Sequence, residues 1–193
     1  MPDAGRVIAG SARGIRLRAP GDGTRPIGDR VKQTLFAILD PQIRGARVLD
    51  LFAGSGALGI EALSRGAAVA VLVEKDAAAV RTIEENLERT HLAADARVVR
   101  SDVVRWLAAE SAPVHPWDIV LLDPPYADTM LLERVLEILG RPGVLAPGGK
   151  VVAKHFWKTE PPARSGLLAS ARDRRFGETA LTFYRVADGE EER

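Results

Sequence analysis

The sequence predicts an α/β fold, a mostly parallel sheet with helices on both faces, and three observations predict it. Short apolar runs alternate with stretches of helical period from about residue 47 to 154, as in a parallel sheet crossed by helices. A glycine-rich turn, Gly54-Ser55-Gly56-Ala57-Leu58-Gly59, follows the first of these runs, and such turns open the ligand-binding end of open sheets. The alternation then stops. Residues 167–175 and 179–186 are two strand-like runs joined at Gly177 with no helix between them, so they should pair antiparallel.

Each element has its own local reason. Residues 5–10 and 14–18 read as a small hairpin whose second strand puts Arg16 and Arg18 on one face. Residues 19–28, rich in Pro and Gly, read as a loop. Asp29 can cap a helix from about 30 to 39, with Val31, Leu35, Ile38 and Leu39 on one face and Arg30 and Lys32 pointing elsewhere. Strands follow at 48–52, 69–74, 96–100 and 117–122. The helices between them span about 57–65, 76–89 and 102–110, and another spans 129–140. Val80, Ile83 and Leu87 face inward on the second of these, and Leu132, Val135, Leu136 and Leu139 on the last. Pro147-Gly148-Gly149 turns the chain into a fifth strand at 150–154. The expected organisation is a basic N-terminal extension (1–46), a main domain (47–187) and an acidic tail (188–193).

The length, 193 residues, suits one α/β domain with a small appendage and a real core. No apolar run approaches the roughly 18–20 residues that span a bilayer, and residues 1–6 lack the apolar centre of a signal peptide. A cytoplasmic protein without membrane contact is expected. The absence of cysteine excludes disulfides, thiolate metal sites and cysteine nucleophiles. His91, His115 and His155 are scattered, so no metal is expected. Net charge is +1, but residues 1–47 carry nine Lys/Arg against four acids, and residues 48–150 carry ten against fifteen. The basic segment points to a polyanionic partner or to a solvated arm.

The glycine loop matches G-x-G-x-x-G, and Glu74 lies 20 residues after Gly54. Glycines permit the tight turn and let a ligand lie against the backbone. Glu74, at the end of the second strand, can accept from both hydroxyls of a ribose. This much fits NAD as well as S-adenosylmethionine (SAM). Two details favour SAM. Asp50, at the end of the first strand, would oppose a pyrophosphate but suits the ammonium end of SAM. Ser101-Asp102 follows the third strand, where an acid can accept from an adenine amine. As structural residues, Asp50 would be a turn acid and Asp102 a helix cap.

Past the fourth strand stand Asp123, Pro124, Pro125 and Tyr126. A conjugated exocyclic amine is a poor nucleophile because its lone pair is delocalised into the ring. Two acceptors on its hydrogens, the Asp123 carboxylate and the Pro124 carbonyl, can aim that lone pair at a methyl donor. Proline fixes φ and keeps its predecessor extended, which supplies the rigidity in-line transfer needs. Tyr126 can stack on the base, a contribution of roughly 1–3 kcal/mol. A paired base cannot reach such a pocket, so the target is single-stranded or flipped out. Without a cysteine, C5-methylation of pyrimidines by thiolate addition is excluded. The plainer reading of Asp-Pro-Pro-Tyr is a rigid turn after a buried strand.

The pattern resembles the class I SAM-dependent methyltransferases that carry an (Asp/Asn)-Pro-Pro-(Tyr/Phe) motif, and more narrowly the bacterial 16S rRNA guanine-N2 methyltransferases, the RsmD-like proteins. Its carriers are Arg6 through Gly10, Thr24-Arg25-Pro26, Asp29 through Lys32, Leu35-Phe36, Asp50 through Gly59, Glu61 through Gly66, and Asp123 through Tyr126. The resemblance implies a Rossmann-like, seven-stranded sheet with an antiparallel last strand. It implies SAM, with S-adenosyl-L-homocysteine as product, held by Asp50, Phe52, Ala53, Gly54, Ser55, Gly56, Gly59, Glu74, Lys75, Ser101 and Asp102. It implies 16S rRNA as partner, within a partly assembled small subunit, met by Arg6, Arg13, Arg16, Arg25, Arg30 and Lys32. The chain departs from the family at Ile27-Gly28, where two threonines are usual, at Gln33 for Glu, and at Lys154, where an acid is expected. Phe156 and Trp157 are read as packing residues, with RNA stacking the lesser alternative. Competing readings are a DNA adenine-N6 or cytosine-N4 methyltransferase, for which 193 residues leave no recognition domain, and an NAD-dependent oxidoreductase. A silent RNA-binding module is a fourth reading.

Overall fold

The computed structural model describes residues 3–21, 27–110, 115–126 and 128–187. The chain opens with an antiparallel hairpin, β1 (Asp3–Arg6) and β2 (Arg16–Arg18), and a helix, α1 (Asp29–Ile43). Alternating elements follow: β3 (Arg47–Leu51), α2 (Ala57–Ser64), β4 (Val69–Glu74), α3 (Ala77–Thr90), β5 (Ala96–Arg100), α4 (Val103–Ala109), β6 (Trp117–Leu122), α5 (Thr129–Leu139) and β7 (Leu145–Phe156). Then come β8 (Arg164–Ser165), β9 (Leu168–Phe176) and β10 (Thr179–Val186). The large sheet has the order β5-β4-β3-β6-β7-β10-β9-β8. The first five of these strands pair in parallel. β10 runs antiparallel between β7 and β9, and the two-residue β8 adds an eighth strand at the edge.

This order positions the site. From β3 the chain steps outward to β4 and β5, then returns to the other side of β3 as β6. Reversals of this kind open a crevice between the carboxyl ends of the two central strands. Those ends carry Asp50 and Asp123.

Period-two alternation splits the core into two layers. Val48, Ile119 and Leu121 pack with Leu72 and with Phe36, Ile60 and Ile83 of α1, α2 and α3. Leu49, Leu51, Val120 and Leu122 pack on the other face with Trp106, Val135 and Leu136 of α4 and α5. Central strands buried on both faces read as continuous apolar runs, which is why the sequence reveals them. Among the described residues no helix is long and apolar enough to cross a membrane.

The N-terminal segment differs most from expectation. Its strands are shorter than 5–10 and 14–18, and it shares the core of the main domain: Val7, Ala12 and Leu17 belong to the same apolar cluster as Val48 and Ile60. Polar groups of α2 hold it there. The buried Glu61 carboxylate accepts from the backbone N–H groups of Ile8 (2.7 Å) and Ala9 (3.0 Å) and from Arg65 Nε (2.7 Å). Ser64 Oγ accepts from Ala12 N–H at 3.0 Å and donates to the Ala9 carbonyl at 2.6 Å. Gly10 lies so close to α2 that a Cβ there would sit 1.7 Å from the Ser64 carbonyl oxygen.

Three smaller differences have local causes. Gly28 occupies the cap position of α1, and Asp29 is its first helical residue, its carboxylate paired with Arg6 instead of the helix end. α1 continues through Pro41 to Ile43, whose burial at 2% exposure anchors the last turn. β7 starts at Leu145 because the chain rejoins β6 on both sides of a bulge, with Trp117 opposite Leu145 and Ile119 opposite Lys150. The expected acidic tail lies outside the described residues.

Candidate active site

Asp50 sits near the carboxyl end of β3, and its Oδ2 accepts from the Gly59 N–H (2.8 Å) in the first turn of α2. The approach needs a glycine, since a Cβ at Gly59 would stand 2.8 Å from the Leu72 side chain and 3.1 Å from Asp50 Oδ2. The other oxygen, Oδ1, is buried without a hydrogen-bond partner. Burial holds the Asp50 pKa well above the ordinary carboxylate range; the Gly59 N–H opposes this, and the charges of Asp123 and Glu74 add to it. A buried, half-satisfied carboxylate is a site in want of a cation.

Between Asp50 and α2 the backbone enters the left-handed region at Phe52 (φ 63°), Gly54 (57°) and Gly56 (76°). For Phe52 this costs roughly 1–2 kcal/mol, and such strain gathers at functional turns. The loop is tied to β4 by Glu74, whose Oε2 accepts from Gly54 N–H (2.9 Å). Glu74 Oε1 accepts from the N–H groups of Lys75 (2.8 Å) and Asp76 (2.9 Å). Three acceptor positions are thus filled by backbone N–H groups, and Oε2 retains room for a further donor. Asp102 caps α4 by accepting from Arg105 N–H (3.0 Å), and the Ser101 hydroxyl donates to the Asp102 carbonyl at 3.1 Å.

Asp123 leaves β6 with its N–H bonded to the Leu51 carbonyl at 3.3 Å. The β6–β7 register pairs Leu122 with Ala153, so the next step sets Asp123 beside Lys154. Lys154 Nζ donates to Asp123 Oδ1 at 2.6 Å, with only 11% of the lysine side chain exposed. Burial raises the Asp123 pKa and the Lys154 cation opposes that rise. The same ammonium lies 5.0 Å from the Tyr126 ring centroid. The Tyr126 hydroxyl shares a 2.9 Å hydrogen bond with Thr179 Oγ of β10, fixing the ring.

These groups share one cavity of about 490 Å³. It is lined by Asp50, Phe52, Ala53, Gly54, Ser55, Glu74, Lys75 and Asp102, and by Asp123 through Tyr126. Gly56, Gly59 and Ser101 are not among the residues that line it. Ala4, Ala19 and Ile27 of the N-terminal segment also line it, as do Leu58, Val103, Leu131 and Lys154, none of which the sequence reading selected. The residues fit SAM: the unpartnered Asp50 oxygen suits an ammonium, and the four carboxylates around the cavity (Asp50, Glu74, Asp102 and Asp123) suit a cationic donor.

The arginines read as RNA contacts divide. Arg13 and Arg30 are exposed. Arg6 pairs with Asp29 (3.1 Å) and Arg16 with Asp3 (2.5 Å), both at exposed positions. Lys32 is a correction. It is fully buried, its ammonium donates to the Arg6 carbonyl, and burial lowers its pKa, so it holds the hairpin and does not reach a partner surface. Arg25 lies outside the described residues. Phe156 and Trp157 are partly exposed and join neither apolar cluster; they pack on each other and, through Phe156, on Tyr126. Lys154 stood out in the sequence only as a departure from the family pattern; the β6–β7 register is what sets it beside Asp123.

Residues 5–185 match the family model described as Conserved hypothetical protein 95. The chain is 40% identical over 187 residues to the ribosomal RNA small subunit methyltransferase D of Escherichia coli K12, covering 96% of this chain and 92% of that protein. A solved structure of a hypothetical protein from Thermus thermophilus is 38% identical, with a TM-score of 0.79, covering 92% of this chain and 97% of that one. An RNA methyltransferase from Salinibacter ruber, solved with S-adenosyl-L-homocysteine, shares the fold at 18% identity and a TM-score of 0.65, covering 88% of this chain and 98% of its own. The chain therefore belongs to the Conserved hypothetical protein 95 family, and it is a methyltransferase with the class I, SAM-dependent fold.

Proposed function

We propose that this chain methylates the exocyclic N2 amine of a guanine in 16S rRNA, with SAM as donor. The observation that carries this reading is the Asp123–Lys154 pair, which shares a cavity with the unpartnered carboxylate oxygen of Asp50. Asp50 would hold the ammonium end of SAM, Glu74 a ribose hydroxyl and Asp102 the adenine amine, with Phe52 through Ser55 and Lys75 against the remainder. SAM supplies an electrophilic methyl on a sulfonium centre.

The chain's own groups supply the rest. Lys154 occupies Asp123 Oδ1, holds the carboxylate in one orientation and favours its ionised form. Asp123 Oδ2 and the Pro124 carbonyl then accept from the two hydrogens of the amine. Oδ2 can also take the proton that the methylated amine gives up. Tyr126, tied through its hydroxyl to Thr179, offers its face to the base. A carboxylate at Asp50 disfavours a dinucleotide, whose pyrophosphate it would repel.

Arg13, Arg25 and Arg30 would meet phosphates directly. Arg6 and Arg16 would exchange exposed ion pairs, each worth about 0–1 kcal/mol, for phosphate contacts. The name of the E. coli relative, which specifies small-subunit rRNA, supports the substrate class; guanine N2 rests on the sequence resemblance. The reaction belongs to the cytoplasm, on a partly assembled subunit.

Replacing Asp123 tests the mechanism. Asp123→Ala should lower methyl transfer by at least about 10²-fold while SAM affinity, read by calorimetry, stays nearly unchanged. Full transfer activity in that variant would contradict the reading.

A further inference from the structure

Beyond Tyr126 the site continues as a ridge of rings and cations that the transfer chemistry does not use. The Tyr126 and Phe156 centroids are 6.4 Å apart and the Phe156 and Trp157 centroids 6.1 Å, with the planes tilted by 43° and 53°. Phe156 and Trp157 end β7 and begin the turn after it, at the carboxyl edge where Lys154 meets Asp123. The Arg175 guanidinium lies 3.6 Å from the Trp157 ring centroid, and Lys158 Nζ lies 5.3 Å from it. Arg175 is further fixed by donating to the Gly177 carbonyl at 2.9 Å. Residues 154–178 carry six Lys/Arg against three acids.

Large aromatics normally enter a core because burying them contributes strongly to stability. These two lie outside both apolar clusters and remain partly exposed, yet they are held in place. The backbone N–H of Trp157 donates to the Glu178 carbonyl (3.0 Å), and Arg175 covers one face of the indole. Rigid, partly exposed rings interleaved with cations are the surface on which unpaired bases stack while phosphates are neutralised.

We propose that this ridge is a second nucleotide site: an unpaired RNA base next to the target stacks on Phe156 or Trp157, and Arg175 and Lys158 hold the adjoining phosphates. This rests on the RNA methyltransferase reading and extends it. It assigns recognition of the single strand entering the catalytic cavity to a surface separate from the N-terminal arginines.

The tryptophans provide a direct readout. Trp106 and Trp117 are buried at 8% and 5% exposure, so Trp157 is the indole that solvent-borne RNA can reach. A guanine-containing single-stranded RNA oligonucleotide should quench the intrinsic fluorescence of the whole protein, and Trp157→Phe should remove that quenching. Phe156→Ala and Trp157→Ala should each weaken binding of the oligonucleotide roughly ten-fold while SAM affinity is retained, which verifies the fold. Arg175→Gln should reduce the slope of log affinity against log salt by about one contact. Unchanged oligonucleotide affinity in both alanine variants, or no quenching at saturating RNA, would overturn the proposal. A protein that neither binds nor methylates RNA in any form would instead overturn the reading beneath it.

Discussion

Asp123 is held between two opposed effects: burial raises its pKa, and Lys154 pulls it back. To accept from an amine it must be ionised, so activity should fall as pH drops through its pKa. Lys154→Met removes the opposing charge and raises that pKa further. The acid limb of the kcat/KM profile should move to higher pH, with activity partly recovered in alkali; a limb that stays put would show that Lys154 does not tune Asp123. Asp50 carries the related consequence for stability. Its folded pKa exceeds the unfolded value near 3.8, so the folded state binds the extra proton. Its contribution is present below that value and is lost as pH rises through the folded pKa. A cation bound beside Asp50 would offset that loss. Asp50, Glu74 and Asp123 were legible because each is an acid at the end of an apolar strand. Lys154 was not, because its partner lies 31 residues away and only the β6–β7 register joins them.

At the scale of elements, the N-terminal hairpin is held by close approach to α2 as well as by burial. Gly10 and Gly14 both have positive φ, +85° and +86°. A Cβ at Gly14 meets nothing within 4 Å, whereas one at Gly10 collides with the Ser64 backbone. Gly14→Ala should therefore cost only the conformational penalty, about 1 kcal/mol, and Gly10→Ala about 2–3 kcal/mol, both measured by urea unfolding. Equal losses would show that contact with α2 does not fix the hairpin. The strands and helices of the main sheet were legible from period-two and period-3.6 patterns, several with matching ends. The hairpin's dependence on Glu61 and Ser64 was not: both stood out only as carriers of the family resemblance, and nothing local in the sequence shows what they hold. Glu61 is nevertheless fully buried, and its partners lie more than 50 residues upstream.

At the scale of the whole molecule, charge and topology agree. The reversal between β3 and β6 gathers carboxylates around one cavity, which suits a cationic methyl donor, while Arg13 and Arg30 of the N-terminal segment remain exposed for a polyanion. The N-terminal segment reads from composition as a basic extension, but it is also a wall of that cavity through Ala4, Ala19 and Ile27. Composition reports the charge of a segment and not where it folds back, so this dual role was hidden. The central claim is methylation of a guanine amine in small-subunit rRNA. Its most direct test is incubation of the purified protein with methyl-labelled SAM and small ribosomal subunits from a strain lacking it, followed by nucleoside analysis of the RNA. The account predicts label in N2-methylguanosine alone; label in another nucleoside, or none in RNA, would contradict it.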